Sequence, residues 1–173
     1  MVPSAYDPYL TAAATAAAAL IGLLFVAVSV RDESIFGPKA VPGGEALAIT
    51  AFSGLVNAFV VCLLGLLPNS NIGWAATTMA VLDVVAVVRL HSRLHWARNT
   101  TVLAIAIVAY LAQLGLGLGL LAKPHDSGLV DDLAFVLFIA MIGSLQRAWS
   151  LMTGEHLTRA AASDEAERVA EER

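Results

Sequence analysis

Residues 73–98, GWAATTMAVLDVVAVVRLHSRLHWAR, decide how this chain is read. The stretch begins as an apolar helix, carries a single acid, Asp83, near its middle, and drains into the most basic segment of the protein. An apolar run of this length spans a hydrocarbon core of ~30 Å at 1.5 Å per residue. A carboxyl group at its centre costs about 2.5–3.5 kcal/mol to insert, so it must face protein or water, and it is a functional-site candidate by default.

The rest of the chain agrees with a membrane setting. Of 173 residues, 58% are apolar and 14% charged, with a net charge of -4. Mean hydropathy is +0.77. Soluble domains carry about a quarter charged residues. The predicted fold is therefore all-α: a polytopic bundle of five transmembrane helices over about 9–30, 45–67, 74–90, 100–121 and 129–151. Residues 1–152 form one transmembrane domain, and 153–173 a polar, Ala-rich cytoplasmic tail expected to be helical. MVPSAYDPY at the start lacks Lys and Arg and is not the basic region of a signal peptide. Pro38 and Pro42 break the 31–44 connection. Cys62 is the only cysteine, which excludes an internal disulfide, and it reads as a small packing residue.

Charge distribution sets the orientation. With the N-terminus outside, Arg31, Lys39, Arg89, Arg93, Arg98, Arg147, Arg159, Arg168 and Arg173 fall at the inner side, and Lys123 alone stays outside. That is N-out/C-in by the positive-inside rule. Tyr6, Tyr9 and Trp74 then mark the outer interface, and Trp96 and Trp149 the inner one.

Within this frame the polar residues acquire depths. Asn57, Asp83, Tyr110 and Gln113 each stand near the middle of a span, forming an expected midplane layer across helices 2, 3 and 4. One reading makes Asp83 a tether that hydrogen-bonds neighbouring helices. The other makes it a proton or cation site on a path across the membrane. Thr11, Thr15, Ala18, Gly22 and Ser29 share a face of helix 1, and Thr50, Ser53, Gly54, Asn57, Val61 and Gly65 a face of helix 2; close helix contact, including between copies of the chain, is the favoured reading, with a wet, pore-lining stripe the alternative for helix 1. In LGLGLGL, 114–120, Gly115 and Gly119 form a small-xxx-small pair, in a run glycine-rich enough to loosen a helix.

Charged residues near the ends suggest further sites. Glu45 begins helix 2 at the level of Arg89 and Arg147, so an inner ion pair of Glu45 with one of them is expected. Asp126, Asp131 and Asp132 gather on the outer side, where, if copies of the chain ring an axis, they would attract cations to a mouth, although solvated loop charges are the commoner explanation; Asp131 and Asp132 also suit the first turn of helix 5. His91 and His95, four apart on one helix face, are a weak metal pair, since no acid or thiol joins them and Arg93 lies between. Anionic lipid headgroups suit Arg93 and Arg98 better. No cofactor, nucleic-acid partner or enzyme signature is expected: G-x-S-x-G, H-E-x-x-H and P-loop patterns are absent from the sequence.

YDPYLTAAATAAAALIGLLFVAVSV (6–30), a charged turn, the EALA start of helix 2 and Pro68 at its end together resemble the opening of small, uncharacterised multi-pass membrane proteins of bacteria. Some similar sequences carry the label of modulators of the membrane protease FtsH. The resemblance implies a bacterial inner-membrane location and, through that label, an accessory role; it transfers no site residue. From the residues themselves, the favoured expectation is a homo-oligomeric channel or transporter-like protein moving a small ion or proton through the midplane layer. The alternative is a non-transporting accessory protein, with a membrane enzyme last.

Overall fold

The computed structural model describes residues 2–30, 44–68, 70–94 and 100–153, with the backbone alone for 44–46, 90–94, 100–104 and 152–153. Five helices follow a short 3-10 turn at Ser4–Tyr6: α1 Asp7–Val30, α2 Gly44–Gly65, α3 Ile72–Leu94, α4 Thr100–Ala122 and α5 Ser127–Thr153. All five are long and apolar enough to cross a membrane. Their positions match the sequence expectation, and most ends lie one to four residues further out because capping side chains and polar residues extend helices beyond their apolar runs. The tail 154–173 and the 31–43 connection lie outside the described residues.

Local chemistry explains the turns. Asn71 Oδ1 accepts from the Gly73 N–H at 2.9 Å at the start of α3. Asp126 Oδ1 does the same for Gly128 N–H at 3.0 Å and Leu129 N–H at 3.4 Å at the start of α5. Asp126 is thus the acid that caps α5. Asp131 and Asp132, expected in its first turn, come later because the helix already begins at Ser127. At the end of α4, Lys123 N–H closes onto Gly119 C=O at 2.8 Å, and Pro124 prevents another helical turn.

The helices alternate in direction. α2 packs against α1, α3 and α5; α3 lies along α4; and α4 meets α5. A ring α2–α3–α4–α5 closes, with α1 outside it against α2 and touching α5 along a thinner seam. At the end holding the α2–α3 and α4–α5 turns, Leu10, Val61, Cys62, Ile72, Leu120, Val130, Leu133 and Leu137 form an apolar plug. At the opposite end Leu24, Ala48, Ala51, Leu55, Ala148 and Leu151 bind α1 and α5 to α2. Large apolar residues cover the outside, among them Phe25 at 67% exposure and Phe135 at 65%. Such a surface is natural against hydrocarbon and an aggregation hazard in water.

Within one chain, two helix faces differ from the simplest sequence reading. The small-residue face of helix 1, Thr11, Thr15, Ala18, Gly22 and Ser29, lies on the outside of the bundle. The face that packs is displaced by one residue: Leu10, Ala14, Ala17 and Leu24 are buried, with Ile21 and Val28 partly so. Both stripes have the same helical period, and the one carrying leucines wins because its bulk makes more dispersion contact with α2 and α5. Thr15 and Ser29 tolerate exposure by bonding carbonyls of their own helix at 2.8 Å each.

In α4 the close approach belongs to Gly117, while Gly115 faces open space. A Cβ on Gly117 would stand 2.6 Å from Thr77 Oγ1 and 2.8 Å from Thr77 N. The Leu–Gly run therefore does not break the helix; one of its glycines lets α4 lie directly on α3.

Candidate functional site

The interior of the four-helix ring holds polar side chains from every one of its helices. Asn57, Asp83, Tyr110 and Gln113, each expected at the midplane, are all buried, with exposures of 0%, 4%, 4% and 1%. The structure brings them together, but in tiers and not in one layer.

The first tier is a pair of amides. Asn57 Nδ2 donates to Gln113 Oε1 at 2.8 Å, and Gln113 Nε2 donates back to Asn57 Oδ1 at 2.9 Å. The second Gln113 N–H lies 3.1 Å from the Ala76 carbonyl oxygen, so three helices meet here. The next tier lies one turn toward the far end, ~5.4 Å away. Ser53, four residues before Asn57, donates its hydroxyl to Asp83 Oδ1. Asn57 flanks the same carboxyl group. The Tyr110 hydroxyl stands beside Ser53 and the Arg147 guanidinium, within electrostatic reach of Asp83. In the last tier Arg147 Nη1 donates to the Thr50 carbonyl oxygen at 3.0 Å, tying α5 to α2.

A connected polar column thus runs Gln113–Asn57–Asp83–Ser53–Tyr110–Arg147. It points away from the apolar plug and toward the end where α3 turns basic. Among the described residues, two buried side-chain oxygens have no hydrogen-bond partner: Asp83 Oδ2 and Thr77 Oγ1. An unpartnered buried oxygen costs roughly 1–3 kcal/mol, so Asp83 Oδ2 is the atom at which the column is chemically incomplete.

The remaining candidates separate. Arg147 bonds the Thr50 carbonyl. The expected pairing with Glu45 involves a side chain outside the described residues. Arg89 is exposed. Asp126 serves as the α5 cap, Asp131 accepts from the Tyr6 hydroxyl at 2.8 Å, and Asp132 is exposed. Two of the three acids expected at an outer mouth therefore have local structural partners. The side chains of His91, Arg93, His95 and Arg98 lie outside the described residues; among those described, no group of three or more His, Cys, Asp or Glu could hold a metal ion.

Ser53, Thr77 and Ser144 add polar groups to the interior that the sequence pattern does not mark as site residues. Ser53 was legible as the i-4 neighbour of Asn57 on the same face of α2. Ser144 is buried where α5 meets Gly54, its hydroxyl returned to the Ala140 carbonyl at 2.9 Å. Comparison with known protein families, curated proteins and solved structures finds no match for this chain.

Proposed function

We propose that this chain is a multi-pass protein of the bacterial inner membrane, oriented N-out/C-in, that assembles with copies of itself and moves a small ion or proton through the polar column centred on Asp83. The observation that carries this reading is a carboxyl group that is 4% exposed, lies midway along an apolar helix and leaves one oxygen unpartnered. Burying an acid in hydrocarbon for tethering alone is an expensive choice, since an amide tethers equally well. Reconstitution into vesicles tests it. Ion or proton flux present in the wild type and lost in Asp83→Asn supports the reading, and equal flux in both removes Asp83 from the path.

The Asn57–Gln113 pair favours a second reading. Its amides satisfy one another and lock α2 to α4, as expected of an accessory membrane protein such as a protease modulator, with no transport of its own. Background flux from both wild type and Asp83→Asn supports that alternative. No catalytic role is proposed.

A further inference from the structure

We propose that the occupant of Asp83 is a proton and not a metal cation, taken up at Oδ2; this rests on the ion-path reading above and names its cargo. The argument is one of donors and acceptors. A hard cation needs about six or more oxygen lone pairs converging on one point. The groups facing Asp83 instead present hydrogens. Ser53 on α2 directs its hydroxyl proton at Oδ1. Asn57, also on α2, has its amide oxygen taken by Gln113 Nε2 and turns amide N–H toward the carboxyl group. From α4 comes the Tyr110 phenol, and behind it from α5 the guanidinium of Arg147, which has only N–H donors and no lone pair to offer a metal. The one unpartnered acceptor is Oδ2 itself. A single acceptor oxygen suffices for a proton and falls far short of a metal's coordination shell.

The step is a simple protonation. The carboxylate Oδ2 accepts H⁺ to give the neutral acid, and releasing it restores the carboxylate; Ser53 keeps its own proton and no other bond changes. The Tyr110 hydroxyl lies between the carboxyl group and the Arg147 guanidinium as a positioning group.

Two measurements on the full-length protein test this. In vesicles, proton entry is followed with an enclosed pH dye, and sodium and potassium entry with cation dyes, for wild type, Asp83→Asn and Asp83→Glu. Proton flux that falls roughly 100-fold in Asp83→Asn, as on loss of a proton-transfer group, and survives in Asp83→Glu, without sodium or potassium flux, is the expected result. Infrared difference spectroscopy reads the carboxylic acid C=O band, assigned to position 83 by its shift in Asp83→Glu, so the proposal stays testable if Asp83→Asn fails to fold. A titrating acid band without any flux upholds the proton and overturns the ion-path reading. Asp83-dependent sodium or potassium flux with no acid band overturns the proton and leaves the ion path standing. Neither flux nor band overturns both.

Discussion

Asn57 and Gln113 face each other across the α2–α4 gap and exchange hydrogen bonds of 2.8 and 2.9 Å, closing a ring of two amides between residues 56 apart in the chain. Each side chain gives the other both a donor and an acceptor, which no other group in the site does. Their energies therefore cannot be assigned separately.

The first prediction is a coupled loss. Asn57→Leu and Gln113→Leu, made singly, each strand a buried amide and should cost about 1–2 kcal/mol. The double replacement removes both polar partners and should cost clearly less than the sum. Unfolding in mild detergent, run as a double-mutant cycle, measures the difference; simple additivity would show that the pair does not act as a unit.

Two neighbouring glycines in α4 should answer oppositely to alanine. Gly117→Ala drives a methyl group into the Thr77 backbone and Gly73 carbonyl on α3, contacts of 2.8 and 3.2 Å, and should destabilise by about 1–3 kcal/mol. Gly115→Ala meets nothing within 4 Å and should stabilise by up to about 1 kcal/mol through helix propensity. Thermal melting of the two variants side by side checks the pair.

At the α2–α5 crossing a second-site rescue is expected. Gly54→Ala collides with the Ser144 hydroxyl, the nearest atom to a Cβ there, while the next, Ser144 Cβ, is 3.6 Å away. Adding Ser144→Ala removes the obstructing oxygen and leaves an ordinary contact. The double variant should recover most of the melting temperature lost in Gly54→Ala; a double variant as unstable as the single would show that the helices, not the hydroxyl, collide.

The N-terminal tyrosines should hold α1 to α5. Tyr9 donates to the Ala134 carbonyl at 2.7 Å and Tyr6 to Asp131 at 2.8 Å, along a seam that is otherwise thin. Tyr9→Phe should cost about 0.5–1.5 kcal/mol. Hydrogen exchange should quicken in the first turns of α1 while α3 and α4 keep their protection. Quickening throughout the bundle would contradict the placement of α1 outside the ring.

Much of this architecture is written in the sequence, because a helix that crosses hydrocarbon announces itself as an uninterrupted apolar run. The same holds for the polar core: Asn57, Asp83, Tyr110 and Gln113 stand out against apolar neighbours, and their depths follow from the span limits. What one chain of letters does not specify is the rotation of each helix about its axis. Leu10–Ala14–Ala17 and Thr11–Thr15–Ala18 have identical spacing, and only the shape of α2 and α5 selects the first. Gly117 over Gly115 is the same problem on α4. Arg147 illustrates a different one, since a long side chain reaches a backbone carbonyl that no residue pattern encodes.

The placement of α1 outside the ring has a consequence for how the protein is made. No member of the polar column comes from the first helix, so nothing polar in the interior can be matched until α3 has emerged from the ribosome, and the Asn57 amide not until α4 has. Asn57 precedes its partner Gln113 by 56 residues. At about 5–20 residues per second, that is ~3–11 s of synthesis. During that interval the half-made α1–α2 pair holds an unsated amide, and α3 arrives with its acid before the Tyr110 side has been built. Biogenesis of this bundle thus passes through a window in which its core is polar and incomplete, closed only when α4 and α5 complete the ring.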